Sequence, residues 1–328
     1  MRISHAVVLL FFLACPAFGR EMVPLEFADP FVLADNGRYY AYGTMAADGL
    51  AVAVSDDLRV WSVAEDLVLR KGDGVYGKDH FWAPEVYRVN GRYILFYTSS
   101  EGEQNGRYNG ICVAESDSPL GPFRSRVPRP LIEGNGSLDN SLFIDDDGRA
   151  YVFFAHYVTG AAVWVAPFDL ESLTLDYAAA KEVIRSTEPW EIPADTNDLS
   201  RVCEGPFVVK EGGVYYLTYS THRCEDPDYN VCLATASSVL GPWTKCGGRP
   251  VLTHQDGMNG TGHHSFFRDL NGRWRIAFHA HHSKDRAFPR TMHTADAEFV
   301  RDQPGPWINI GKSIQAVSPS QDKEVRNP

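Results

Sequence analysis

Gly37-Arg38-Tyr39-Tyr40, Gly91-Arg92-Tyr93-Ile94, Gly148-Arg149-Ala150-Tyr151, Gly213-Val214-Tyr215-Tyr216 and Gly272-Arg273-Trp274-Arg275 are five versions of one phrase. Each is a turn glycine followed by an aromatic-rich strand. Four of the glycines follow Asn36, Asn90, Asp147 or Asn271, and Asn-Gly or Asp-Gly between apolar runs is the strongest short-range hairpin signal. Upstream of each glycine lies a short apolar strand that opens on a polar residue: Asp29, Glu85, Asp139, Glu204 and the pair His263-His264. Downstream, residues 50–54, 110–114, 162–166, 230–234 and 290–294 read as third strands, and Trp61 and Trp307 mark fourth ones. The spacing is roughly 54 to 65 residues, near the range of propeller blades and longer than most solenoid repeats.

A unit of about four antiparallel strands cannot bury both faces alone. Stacking against its neighbours buries them, and closing the ring protects the edges. The sequence therefore predicts an all-β fold, a single five-bladed β-propeller with four antiparallel strands per blade. No convincing amphipathic helix interrupts it. Residues 185–200, with Pro189, Trp190, Pro193, Asp195 and Asn197, form the longest irregular insert and are expected to loop over one rim.

Composition narrows the function. The formal net charge is −11 with no Lys/Arg cluster, so a nucleic-acid partner is not expected. Residues 1–19 read as a secretory signal: Arg2, an apolar stretch from Ala6 to Cys15, and the small-x-small site Ala17-Phe18-Gly19. An exported protein, periplasmic or secreted, follows as the expectation. Phe12-Leu13-Ala14-Cys15 loosely resembles a lipobox, so lipid anchoring at Cys15 is the alternative. No other segment is long and apolar enough to span a bilayer. Beyond Cys15 the chain holds Cys112, Cys203, Cys224, Cys232 and Cys246. An odd number leaves one unpaired, and Cys224 with Cys232, flanking a turn-like Asp226-Pro227-Asp228, is the expected disulfide.

Equivalent positions in a ring converge without being close in sequence. Asp29, Asp139 and Glu204 open the first strands of repeats one, three and four. Carboxylates around an open funnel suit glycoside hydrolysis, in which one protonates the leaving oxygen and another activates water. For each alone, a strand cap or turn residue is the simpler account. Their recurrence with nearby Phe31, Phe143 and Phe207 favours chemistry. His279, His281, His282 and His293 are dense enough to suggest zinc, but strand alternation would turn them to opposite faces.

Five motifs occur in order: Ala28-Asp29-Pro30-Phe31, Trp82-Ala83-Pro84-Glu85, Leu138-Asp139-Asn140-Ser141, Cys203-Glu204-Gly205-Pro206-Phe207 and Gly260-Thr261-Gly262-His263. Together they resemble glycoside hydrolase family 43, the five-bladed arabinofuranosidases, xylosidases, arabinanases and galactan exo-hydrolases. The resemblance runs from about Pro24 to Phe299. The five repeats predict residues 20–314 as one catalytic domain, and the polar composition of 315–328 predicts a C-terminal tail. The resemblance implies Asp29 as general base, Glu204 as general acid and Asp139 as the carboxylate that orients and tunes the acid. Arg290 matches a sugar-binding arginine that would also hold Asp139 ionised. Trp82, Phe31, Glu85 and Asn140 are the further expected substrate contacts, with blade packing the alternative for both aromatics and a supporting role for Glu85. His263 matches a channel histidine beside a hydrated calcium, a metal-free core histidine being the alternative. The chemistry itself would require no cofactor, and calcium would be structural. The implied enzyme is a monomeric, exo-acting, inverting glycosidase releasing terminal α-L-arabinofuranosyl or β-D-xylosyl units from plant cell-wall glycans. An exo-galactosidase on arabinogalactan, an endo-arabinanase and a non-catalytic carbohydrate-binding propeller are the alternatives.

Overall fold

The computed structural model describes residues 21–102, 110–132, 136–157, 160–193, 201–302 and 305–320. The expected signal segment, Asp195 and Asn197 lie outside them. Apart from three short 3-10 turns, the described elements are strands; all but one terminal pair are grouped into five successive antiparallel sheets. Blade 1 runs through Ala28–Asp35, Arg38–Thr44, Gly49–Ser55 and Ser62–Val63. Blade 2 comprises Asp79–Val89, Arg92–Ser100 and Gly110–Ser116. Blade 3 uses Ser137–Ile144, Ala150–Tyr157, Ala161–Asp169 and Thr174–Leu175. Blade 4 uses Cys203–Glu211, Val214–Thr221, Asn230–Ala236 and Thr244–Lys245, and blade 5 uses Gly262–Arg268, Trp274–Ala280, Thr291–Val300 and Trp307–Ile310. Blade 2 departs from the four-strand expectation, because its fourth strand is reduced to the single bridge between Glu115 and Arg124. The first strands touch in cyclic order, with blade 5 meeting blade 1. Between blades the core is aromatic: Tyr42, Tyr97, Phe153 and Tyr216 are fully buried.

The hairpin turns divide into two kinds. Asn36-Gly37, Asn90-Gly91 and Gly212-Gly213 place two left-handed residues between paired strand ends, the geometry whose twist matches the strands. At Gly148 and Gly272 only the glycine is left-handed, and its N–H bonds back to Asp145 or Asp269. These are longer turns than the Asp-Gly and Asn-Gly dipeptides suggest. The Asp269 carboxylate holds the second one by accepting from the N–H groups of Asn271 and Arg273.

The ring closes through both ends of the described chain. Met22–Pro24 pairs antiparallel with Val317–Pro319, while Ile314–Gln315 pairs with blade 5. Trp61 N–H donates to the Val317 carbonyl on the blade 1 side. The expectation of a tail from residue 315 is therefore corrected: residues up to Pro319 are closing strand, because the N-terminal segment offers them an edge. Only the residues after Ser320 fall outside the described part.

Each first strand carries a β-bulge near its start. Its left-handed residue is Asp29, Ala83, Asp139, Gly205 or His263 in blades 1 to 5. Asp29, Asp139 and His263 are thus true equivalents. Glu204 precedes the equivalent position by one residue, and Glu85 follows it by two. The expectation that all five openers are equivalent is corrected by this shift, because a bulge adds a residue and changes which side chains face inward. A non-glycine residue at positive φ is strained, and such strain gathers at functional sites.

The bulges also knit the blades together. The residue opposite the one before each bulge is Thr44, Thr98, Ala155, Ser220 or His279. Ala83 N–H donates to Thr44 Oγ1 at 2.9 Å, Asp139 N–H to Thr98 Oγ1 at 2.9 Å and His263 N–H to Ser220 Oγ at 3.0 Å. Asp29 N–H closes the ring on His279 Nδ1 at 3.1 Å. Blade 3 is the exception. Ala155 has no acceptor, and Gly205 N–H turns to Asp139 Oδ2 at 3.2 Å. An otherwise repeated structural bond is thereby aimed at a carboxylate in the channel mouth.

Candidate active site

Asp29, Asp139 and Glu204 meet at the mouth end of the channel, with His263 among them. His263 Nδ1 lies 3.3 Å from Asp29 Oδ1 and 4.0 Å from Asp139 Oδ2. One polar atom from each of Asp139, Glu204 and His263 falls within 4.8 Å of the others. Asp29 and Asp139 are each only 7% exposed, so their charges are held in a low-dielectric setting.

Their surroundings push the carboxyls apart in acidity. Burial would raise Asp29, but Arg290 and then His263 outweigh it and hold the group well below the usual carboxylate range. Arg290 Nη1 donates to Asp29 Oδ1 at 2.8 Å, and Thr44 Oγ1 donates to Oδ2 at 2.7 Å. Glu204 goes the other way: burial leads, nearby Asp29 adds to it, and the group is pushed up to about 7 despite a bond from Tyr229. Asp139 is raised by burial and by its neighbours Glu204 and Asp29. Two carboxyls this close, one buried and one partly so, do not both ionise readily, so the pair retains a proton toward neutral pH.

Arg290 is where the arrangement differs most from expectation. Its guanidinium serves Asp29 rather than Asp139, because the segment leading into Thr291–Val300 brings it against blade 1. Asn140 is buried, and its Nδ2 donates to the Cys112 carbonyl at 3.1 Å; this corrects its assignment as a substrate contact. Phe31 is corrected likewise. Its buried ring packs 5.1 Å from Tyr87 and 6.4 Å from Phe207, centroid to centroid, beneath the carboxylates. Trp82 remains half-buried at the mouth, its ring 4.5 Å from that of His80. Glu85 lies deeper and bonds the Tyr87 hydroxyl. Burial pushes it up to about 8, which suits a neutral supporting carboxyl.

The donors around His263 do not fit a calcium held directly by the protein. Calcium takes six to eight oxygens, whereas the grouping offers two carboxyls and an imidazole nitrogen turned toward Asp29. His279, His281 and His293 have separate partners and do not form one ligand group. His279 serves Asp29, His281 pairs with the Cys224 carbonyl at 3.0 Å, and His293 pairs with Thr291 Oγ1 at 3.1 Å. The expected Cys224–Cys232 disulfide is also corrected, since all five described cysteines are free. Cys232 is buried inside blade 4, 3.3 Å from Asn230 Oδ1, while Cys224 sits near the mouth beside Glu225.

Sequence reasoning missed Tyr229 and Thr44, and it singled out His279 only as one of a histidine cluster, not as a partner of Asp29. Tyr229 OH donates to Glu204 Oε1 at 2.9 Å. None of the three belongs to the strand-opening motif; each reaches the site through a cross-strand or interblade contact that the repeat pattern does not encode.

The rim has its own support. Glu191, 1% exposed, accepts from Tyr219 OH at 2.6 Å and from the N–H groups of Thr187 and Glu188. Lys245 pairs with it and also donates to the Arg185 carbonyl, holding the described part of the Trp190 loop against blade 4. Lys245→Met would strand this buried carboxylate. The expected cost is about 3–5 kcal/mol, read as a lower urea midpoint at unchanged slope.

A five-bladed ring with three carboxyls of divided acidity at one mouth has the equipment of a glycoside hydrolase. Residues 20–302 match the model of glycosyl hydrolases family 43. The chain belongs to that family and is an inverting glycoside hydrolase. It is 27% identical over 320 residues to the β-D-galactofuranosidase xynD of Aspergillus niger, spanning 91% of this chain and 86% of that protein. It is 32% identical over 248 residues to xylosidase/arabinosidase 43A of Humicola insolens, covering 65% of this chain and 70% of the relative. Among solved structures, an endo-1,4-β-xylanase from Bacteroides thetaiotaomicron VPI-5482 superposes with a TM-score of 0.80 at 37% identity, over 91% of this chain and 99% of that one. Among the described residues, no helix is long and apolar enough to cross a membrane.

Proposed function

We propose an exo-acting enzyme that removes terminal α-L-arabinofuranosyl or β-D-xylosyl units from plant cell-wall glycans. The single observation that carries the mechanism is the different company of the two carboxyls: Arg290 donates to Asp29 at 2.8 Å, while Glu204 lies grouped with Asp139 and His263 and takes a bond from Tyr229. Asp29, kept ionised by Arg290, takes a proton from water as that water attacks the anomeric carbon. Glu204, kept protonated by burial, gives its proton to the leaving oxygen. Asp139 lies against Glu204 and sets how readily the proton leaves. The bond between sugar and leaving oxygen breaks as the bond to water forms on the opposite face, which inverts the anomeric centre.

The walls favour a pocket. Residues 281–288 form a hairpin through reciprocal Ser283 and Arg286 backbone bonds of 3.1 and 3.4 Å. Phe288 ends it, with the Arg290 guanidinium 5.6 Å from its ring centroid. Across the mouth, His222 Nε2 pairs with the Trp190 carbonyl at 3.2 Å and ties down the other wall. Trp82 offers an aromatic face for a sugar. The chemistry draws on no metal; a calcium reached through water near His263 would act on stability. We further propose that the enzyme is exported and monomeric.

Activity on p-nitrophenyl α-L-arabinofuranoside, β-D-xyloside and β-D-galactofuranoside, followed by arabinan and arabinoxylan, tests this reading. The galactofuranoside belongs in the panel because of the Aspergillus niger relative. A monosaccharide is expected as the first product, with the opposite anomer visible by proton NMR. Early mixed oligosaccharides would replace the pocket with an endo-acting cleft.

A further inference from the structure

Tyr229 is fully buried, so it touches no substrate, yet its hydroxyl reaches the proposed acid. Its ring lies parallel to that of His279, with an interplanar angle of 0° and centroids 5.5 Å apart. His279 is the acceptor for Asp29 N–H. An amide can only donate, so Nδ1 must accept and the ring proton resides on Nε2. The approach of the same Nδ1 to Asp29 Oδ1, 3.3 Å, is then packing bridged by Arg290 rather than a hydrogen bond. Burial holds His279 neutral, its pKa pushed down to about 3. One rigid stack thus has one end on the acid side chain and the other on the base backbone.

The fold makes room for this stack deliberately. Gly262 is the cross-strand partner of His279. A Cβ at Gly262 would stand 2.4 Å from Tyr229 Cδ1 and 2.5 Å from Cε1. Only glycine lets the tyrosine ring lie against this strand pair.

We propose that Tyr229 is a positioning residue that fixes the Glu204 carboxyl and tunes its proton affinity, with His279 holding both Tyr229 and the Asp29 backbone in register. This rests on Glu204 being the acid. The hydroxyl favours the ionised carboxylate, and that bond strengthens as the proton passes to the leaving oxygen. It offsets the upward push on Glu204 from burial and Asp29. The other groups facing Glu204 are Asp139 on blade 3, Arg290 on blade 5, and Glu225, Cys224 and Tyr157 at the mouth. The Phe substitution changes none of them.

The test compares Tyr229→Phe, His279→Phe and wild type by kcat/KM against pH, on an oligosaccharide and on an activated aryl glycoside, with Tm measured alongside. Tyr229→Phe keeps the ring and the stack. Its basic limb on the oligosaccharide is expected to move up by about one pH unit, and its kcat to fall about tenfold there and much less on the aryl glycoside. His279→Phe keeps a ring against Tyr229 but loses the acceptor for Asp29 N–H, so it is expected to lower kcat on both substrates without moving the basic limb. If Glu204→Gln shows the leaving-group selectivity of an acid but Tyr229→Phe leaves the limb in place, the inference is overturned while the acid assignment stands. If Glu204→Gln shows no such selectivity, the acid assignment itself fails. A Tyr229→Phe loss that is equal on both substrates would also overturn the inference, since it would mark a merely structural role.

Discussion

Asp29→Asn is expected to lower kcat/KM by about a thousandfold, on activated and natural substrates alike. The amide has the size of the carboxylate but cannot take a proton from water. Attack by water is needed whatever the leaving group, so no substrate escapes the loss. The substitution also frees Arg290, which now donates to Asp29 at 2.8 Å, to turn toward the Asp139–Glu204 pair. A cation there would draw the pair toward ionisation and remove the proton that the acid must deliver. The measurement is kcat/KM on both substrate types, with circular dichroism confirming the fold. A loss below tenfold would remove Asp29 from the role of base.

Glu204→Gln should separate the two substrates instead. A sugar leaving group is a poor one, and departs only with a proton, so hydrolysis of an oligosaccharide is expected to fall about a thousandfold. p-Nitrophenolate leaves without help, so its release is expected to fall by about tenfold or less. Steady-state kinetics on the two substrates measures the ratio directly. Equal losses would place the acid elsewhere, and Asp139, 7% exposed and beside Glu204, would be the next residue to test.

The ring was legible because its signals are local. The repeated Gly-aromatic phrase, the Asn-Gly turns at residues 36–37 and 90–91, and short apolar strands all act within one hairpin. Asp29, Asp139 and Glu204 were legible because they sit at recurrent strand openings. The phase of those openings was not. A bulge shifts inward-facing residues by one place, and nothing in Leu138-Asp139-Asn140-Ser141 says that Asp139 adopts positive φ while Asn140 turns to the Cys112 carbonyl. Contacts between blades were hidden for the same reason. Arg290 and Asp29 are 261 residues apart, and only ring closure decides that the guanidinium meets Asp29 rather than Asp139. Tyr229 carries no motif, and the histidine cluster that includes His279 does not show its pairing with Tyr229, since that depends on Gly262 leaving space. The strand over Val317–Pro319 looked like a tail because its edge partner, Met22–Pro24, lies at the far end of the chain.

The central claim is that Glu204 delivers the proton and that burial, with Asp29 nearby, poises it near neutrality. The most direct measurement is the pH dependence of kcat/KM for wild type and Glu204→Gln, both on an activated aryl glycoside that the variant still turns over. Asp29 is held well below the usual carboxylate range, so the acidic limb should lie below that range in both enzymes. On this substrate the wild-type kcat/KM should fall, by up to the roughly tenfold that the acid contributes there, as pH rises through about 7, where Glu204 gives up its proton. In Glu204→Gln that basic limb should vanish, leaving a flat profile through neutral pH. A basic limb that persists unchanged in the variant would show that another group carries the proton, and would contradict the account.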